Sequence, residues 1–244
     1  MKIWSFIVHR IKKYTFAFTE WAITNIPTPI GEKLRYAYWK LRLAQLGKRV
    51  HFGRGISIIQ PDMVTIGNDS WIDDHVTLLA GTLVSKALHV YRGNLVANKP
   101  IREGEIIIGE RTKLAPYVYV QGFGGVWLGN ELTVANGTRI FSISHHHRDL
   151  TGKADPQVVM KFSMKAPLEE QALILMPVII EDGAAVGISC VVLPGAHIGK
   201  NSWLGTLSLL KADLPDDTIA TGVPARVIKK RHYVDLKDGV SLEK

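Results

Sequence analysis

Residues 180–210 read IEDGAAVGISCVVLPGAHIGKNSWLGTLSLL. Ile180, Val186, Val192, Ile198, Leu204 and Leu210 stand six residues apart. Four places after the first five come small side chains: Ala184, Cys190, Ala196, Ser202 and Ser208. An amphipathic helix repeats its apolar positions every three to four residues and a half-buried strand every two, so neither explains this spacing. One short flat strand plus one corner does. The aliphatic residue points inward, the small one fits beside the corner, and Gly, Asn or Asp makes the turn. Three such sides close a triangular coil of about 18 residues, and stacked coils pair their backbones around an aliphatic axis.

The same phase recurs upstream in Ile66, Ile72 and Leu78, with Ser70, Val76 and Thr82 as small partners. It recurs again in Ile108, Leu114 and Val120, and in Leu128, Val134 and Ile140. Two stretches, near 80–105 and 146–177, break it. Long inserts in a compact domain are functional or disordered. The expected organisation is an N-terminal helical segment over 1–48, a coil domain over 49–228 carrying the two insertions, and a tail over 229–244.

The formal net charge is +8, with 30 Lys/Arg against 22 Asp/Glu. All of the excess lies in the first fifty residues, which hold ten basic side chains and only two acids, Glu20 and Glu32. No basic reading motif accompanies it, so nucleic acid is not an expected partner. The single cysteine, Cys190, allows neither an internal disulfide nor a multi-thiolate zinc site. It falls at a small inward position and reads as structural filler. No signal peptide or membrane-spanning run is read, and a cytoplasmic location is expected, with the inner membrane face as a place of contact.

Ile3, Ile7, Ile11, Tyr14, Phe18 and Trp21 line one helical face, ended by Pro27, Thr28 and Pro29. A second helix is expected from about Glu32 to Leu46, stopped by Gly47. A basic, aromatic, amphipathic segment suits either packing on its own domain or a neighbouring subunit, or peripheral contact with a membrane surface, and both readings stand.

The stretch from about Val178 to Lys230, above all LPGAHIG at 193–199 and GVPARVI at 222–228, resembles the hexapeptide-repeat acyltransferases. Weaker resemblance covers 50–145, and none covers the first 48 residues. The resemblance implies an all-β fold, a left-handed parallel β-helix, that is a homotrimer with three active sites between subunits. It implies acyl transfer from acetyl-CoA, the donor substrate, with no metal expected.

Three histidines stand together in SISHHHRDL, residues 142–150. A sugar hydroxyl is a poor nucleophile at neutral pH, and one base within hydrogen-bond reach relieves this. Imidazole suits, with an unperturbed pKa of about 6.5. GNELTVANGTRIFSISH at 129–145 resembles the sugar O-acetyltransferase branch without a gap, which puts His145 on the family's catalytic base. His147 would point to the same side of an extended chain and is second; His146 would point away. The plainer alternative is a solvated loop that happens to be rich in histidine. Asp149, Asp155 or a carbonyl could orient the imidazole.

The resemblance places Gly187, Gly205 and Thr206 along a coenzyme A groove, and Arg226 and Lys229 where they could meet phosphates. Lys211 is a further candidate, although the family's threonine–lysine pair reads Lys211-Ala212 here and its alanine–glycine–serine turn reads Thr206-Leu207-Ser208. Tyr117, Phe123 and Trp127 are candidates for stacking on a sugar or glycan acceptor. The expected activity is O-acetylation of a sugar or glycan precursor. The alternatives are N-acetylation of an amino sugar, a zinc enzyme like the carbonic-anhydrase relatives of this fold using His75, His89 and His197, and a non-catalytic trimeric scaffold.

Overall fold

The computed structural model describes residues 18–83, 89–93, 99–155, 157–163 and 165–231. The helical face expected at Ile3, Ile7, Ile11 and Tyr14 lies outside them. Residues 18–25 (α1) and Pro29–Lys40 (α2) are helical. The chain then winds through three walls of short strands, six, eight and six strands deep and parallel except for the last strand of the second wall, as a left-handed β-helix.

The inward ladders explain the period. On the first wall Leu46, Ile66, Ile108, Leu128, Ile180 and Ile198 stack in register. On the second, Phe52, Ile72, Leu114, Val134, Val186, Leu204 and Ala220 stack. On the third, Ile58, Leu78, Val120, Ile140, Val192 and Leu210 do so. Every aliphatic residue of the four phased blocks is buried. Each contributes about 1.5–3 kcal/mol of burial, which explains why the repeat tolerates little else at these places.

The corners follow the same logic. The edge between the first and second walls carries left-handed residues at Arg49, Asp69, Arg111, Glu131, Gly183, Asn201 and Asp217. The edge between the second and third walls, the second edge, carries them at Gly55, His75, Tyr117, Gly137, Ser189 and Leu207. The third edge, from the third wall back to the first, is where the coil length varies. Ile180 pairs with Ile198 eighteen residues on, whereas Ile108 pairs with Leu128 twenty on. The two extra residues, and both long insertions, enter at this edge. Thr82, expected as a small inward partner, is exposed because the first insertion begins there.

The two insertions form one unit. His89–Arg92 pairs in parallel with Ala172–Leu175, which pairs antiparallel with Ile143–His146. The histidine run is therefore partly an edge strand of a small sheet, not a loop.

The N-terminal end of the prism is capped by α2. Thr28 is its N-cap, accepting from Gly31 N at 3.2 Å, and Pro29 opens it. The helix ends at Lys40 and Gln45–Leu46 is already the first strand, so the expected extension to Leu46 does not form. The reason is Leu46, which is needed at the start of the first-wall ladder. Trp39 is fully buried and joins Phe52 in the core cluster. Arg35, also buried, donates from Nε to Phe52 O and from Nη1 to Ile26 O, each at 2.8 Å, covering carbonyls at the open end. At the far end Ala225–Lys230 folds back antiparallel on Thr218–Gly222 and closes the second wall.

Candidate active site

His145 sits on the strand Ile143–His146, opposite Leu173. With Gln121, Phe123, Phe141, Ser144, Leu173 and Leu193 among its neighbours, it lines a pocket of about 400 Å³ at the third edge. The ring's Nε2 is shielded from solvent and has no hydrogen-bond partner among the described residues. A polar atom buried in that state is costly unless something arrives to use it. Phe162, from the second insertion, stands edge-on to the ring at 6.3 Å.

The other histidines are occupied elsewhere. His146 Nδ1 lies 3.0 Å from Arg148 O, and His147 is exposed, with Nε2 3.0 Å from Arg148 Nε. His147 lies beyond the strand, so the alternation that would bring it back to His145's side is not available. Neither Asp149 nor Asp155 bonds to His145. Asp155 accepts from Gln157 N at 2.9 Å. Asp149 accepts from Thr151 N and Oγ1, Lys153 N and Ala154 N, and lies 3.5 Å from His89 Nδ1. Burial pushes the Asp149 carboxyl up, but the donors of Ala154, Thr151 and Lys153 outweigh it and hold the group well below the ordinary carboxylate range. Asp149 therefore ties the two insertions together just after the histidine run.

Of the expected acceptor contacts, Phe123 shares the pocket with His145. Trp127 points out of the first wall, with Lys99 Nζ 5.3 Å from its ring centre. Tyr117 lies on the second edge, stacked on His75 at 5.1 Å. The pocket residues Gln121, Phe141 and Leu193 were not anticipated, although the phase carries a signal for them. Each follows directly after an inward aliphatic of the third wall, so each points outward beside the third edge.

Gly187, Gly205 and Thr206 line up on the second edge. A Cβ on Gly187 would come within 2.5 Å of Thr206 N, so only glycine lets these two coils stack. Arg226 pairs with Thr221 on the outermost strand at the end of that edge, whereas Lys229 pairs with Ile219 further back along the same strand. Lys211 follows the third-wall strand Leu209–Leu210 and so belongs to the third edge. The expected donor residues thus fall mainly on one edge and His145 on another. Cys190 is buried behind the second edge; Sγ donates to Gly205 O at 3.1 Å and burial pushes its thiol up, as suits filler. The histidines of the zinc alternative stand in three places: His75 on the second edge, His89 against Asp149, and His197 3.6 Å from Glu181 on the first wall.

No family model matches the chain. Among curated proteins, Rv3034c of Mycobacterium tuberculosis, named a probable acetyltransferase, is 25% identical over 221 residues, 90% of this chain and 64% of the relative. WbbJ of Escherichia coli, which carries the name of a lipopolysaccharide biosynthesis O-acetyl transferase, is 27% identical over 130 residues, 53% of this chain and 63% of the relative. Triangular coils on a six-residue phase and these relatives point the same way. The chain is similar in fold and in sequence to the hexapeptide-repeat acyltransferases. It spans just under two thirds of the length of these two relatives. Among solved structures, a variant of the Bacillus cereus N-acyltransferase AntD, in complex with dTDP and coenzyme A, aligns with a TM-score of 0.61 at 22% identity, covering 81% of this chain and 90% of that one. That likeness concerns the fold of this hexapeptide-repeat chain.

Proposed function

We propose that the protein transfers an acetyl group from acetyl-CoA to a hydroxyl of a sugar or glycan precursor, with His145 as general base. The observation that carries this reading is that His145 lines a pocket of about 400 Å³ while its Nε2 is buried without a hydrogen-bond partner. The acceptor O–H donates to Nε2 and loses its proton as its oxygen attacks the thioester carbonyl. The imidazolium then returns that proton to the departing thiolate, so His145 is restored each turnover. Phe123 and Phe141 offer flat apolar faces to a sugar ring, and Gln121 and Ser144 offer polar groups to its hydroxyls.

Thioester binding falls to Gly187, Gly205, Thr206 and Arg226. On one prism these occupy a different edge from His145, so a single chain does not complete the site. A second copy that sets its second edge against the third edge of the first would complete it, and cyclic repetition of that contact closes a homotrimer. Exposed Ile188, Leu207 and Tyr117 on the second edge supply apolar surface for the contact. Names among the relatives support a glycan acceptor, and WbbJ's points to O-acetylation.

The test is thiol release from acetyl-CoA against a panel of sugar nucleotides and lipid-linked glycan precursors, each as the hydroxy and the amino sugar. Acceptor-dependent release with hydroxy sugars is expected. Release only with amino sugars would overturn O-acetylation, and no release with any member would overturn sugar acetylation.

A further inference from the structure

We infer that the outward face of α2, together with α1, is a docking surface for an anionic lipid bilayer. This does not depend on the catalytic reading. The inner face of α2 is used up by Gly31, Arg35 and Trp39 against the first coil. Its opposite face carries a second apolar stripe. Ile30, Leu34, Ala37 and Leu41 follow at steps of four, three and four, and all are exposed, Ile30 by 68%, Leu34 by 42% and Leu41 by 88%. Steps of three and four put them on one line along the helix. On α1, Phe18 and Trp21 are exposed by 67% and 61%, their rings 5.7 Å apart. A helix buried on one face and apolar on the exposed opposite face has a second partner besides its own domain.

Charge identifies that partner. Lys33 and Lys40 flank the stripe, both exposed. The only two acids of the first fifty residues are turned away to local partners. Glu20 accepts from Tyr38 Oη and Arg42 Nη1, each at 2.7 Å, and Glu32 Oε1 lies 2.7 Å from His51 Nδ1. The face is therefore apolar at its centre and cationic at its rim. A second copy laid on it would bring lysine against lysine. Residues 1–17 would do the same, since they add Lys2, Arg10, Lys12 and Lys13 and no acid. An anionic bilayer answers both demands at once, with acyl chains under the stripe and headgroup phosphates beside the lysines. The exposed Phe18 and Trp21 suit the headgroup boundary. No helix among the described residues is long and apolar enough to cross a membrane, so this is surface docking.

The experiment is co-flotation of the full chain with vesicles of phosphatidylcholine alone and of phosphatidylcholine with phosphatidylglycerol, at low and high salt. The wild-type chain is expected to float with the anionic vesicles at least about tenfold more strongly than with neutral ones, and to be released by salt. Leu34→Glu/Leu41→Glu should lose flotation about tenfold or more, and Lys33→Glu/Lys40→Glu should lose the preference for phosphatidylglycerol. These side chains are exposed, so circular dichroism and the melting temperature should not move; if they do, Leu34→Ser/Leu41→Ser takes the first variant's place. Wild-type chain that stays with neither vesicle, or floats equally with and without the stripe, would overturn the inference. So would a stripe variant that changes the particle mass in light scattering and leaves flotation unaltered, since a second copy would then be the occupant.

Discussion

Replacing His145 with alanine should lower kcat for acetyl transfer by about 10²–10⁴-fold, the usual range for losing a positioned general base. The KM for acetyl-CoA should stay within about threefold, because the groups assigned to the donor lie on another edge of the prism. Stability should change little. The ring touches Phe162 and the pocket but makes no hydrogen bond through Nε2, so none is lost there. His147→Ala is the control. That side chain is exposed and engaged with Arg148, and its removal should change kcat by less than about threefold. Steady-state thiol release on the two purified variants decides it; comparable losses in both would move the base away from His145.

Asp149→Ala should give the second-largest effect, through position and not through chemistry. Its side chain is only 6% exposed and takes four hydrogen bonds from Thr151, Lys153 and Ala154. Alanine leaves those donors without their acceptor and frees His89, loosening the joint between the two insertions. A local stability loss of about 2–3 kcal/mol is expected. So is a fall in kcat/KM of about 10- to 100-fold, because the strand bearing His145 ends three residues earlier. The sign of the pH dependence follows from the depressed pKa. The carboxylate contributes stability that is fully present above the unfolded carboxylate range and is lost as pH falls through the lower folded value. Wild-type chain should therefore show no Asp149-linked change between about pH 5 and 8 and should loosen in acid. In Asp149→Ala that acid-dependent step should be missing. Hydrogen exchange over residues 149–154 at several pH values reads it directly.

The core of this fold was legible because one residue per wall carries it. The six-residue phase named the inward aliphatic positions from Ile66 to Leu210, and each of those is buried in a ladder. The insertions were recognisable only as breaks in the phase. Their small sheet joins His89–Arg92 to Ala172–Leu175 across some eighty residues of sequence, and nothing local in either segment announces the pairing. The same limit applied to Asp149. Its closeness to the histidines made it an apparent orienting group, whereas its oxygens are taken by backbone N–H groups two, four and five residues on and by the Thr151 hydroxyl. The helix expected to reach Leu46 stopped at Lys40 because a ladder position outranked a helical pattern, the ordinary outcome when tertiary packing competes with local propensity. Tyr117 and Trp127 were grouped with Phe123 by nearness in sequence. One turn of a triangular coil sends the three to different edges and walls.

The most direct test of the central claim, that the base and the thioester groove come from different copies, is complementation between two inactive variants. His145→Ala keeps an intact second edge. Thr206→Trp, at an exposed corner position, keeps an intact His145 pocket and blocks the groove. Each homomer should be inactive. Co-expressed and purified as mixed assemblies, they should regain about a third of the wild-type rate, since one junction in three of every mixed trimer pairs a good base with a good groove. Mixed assemblies that stay as inactive as their parents, or a Thr206→Trp homomer with wild-type turnover, would contradict a site shared between two prisms.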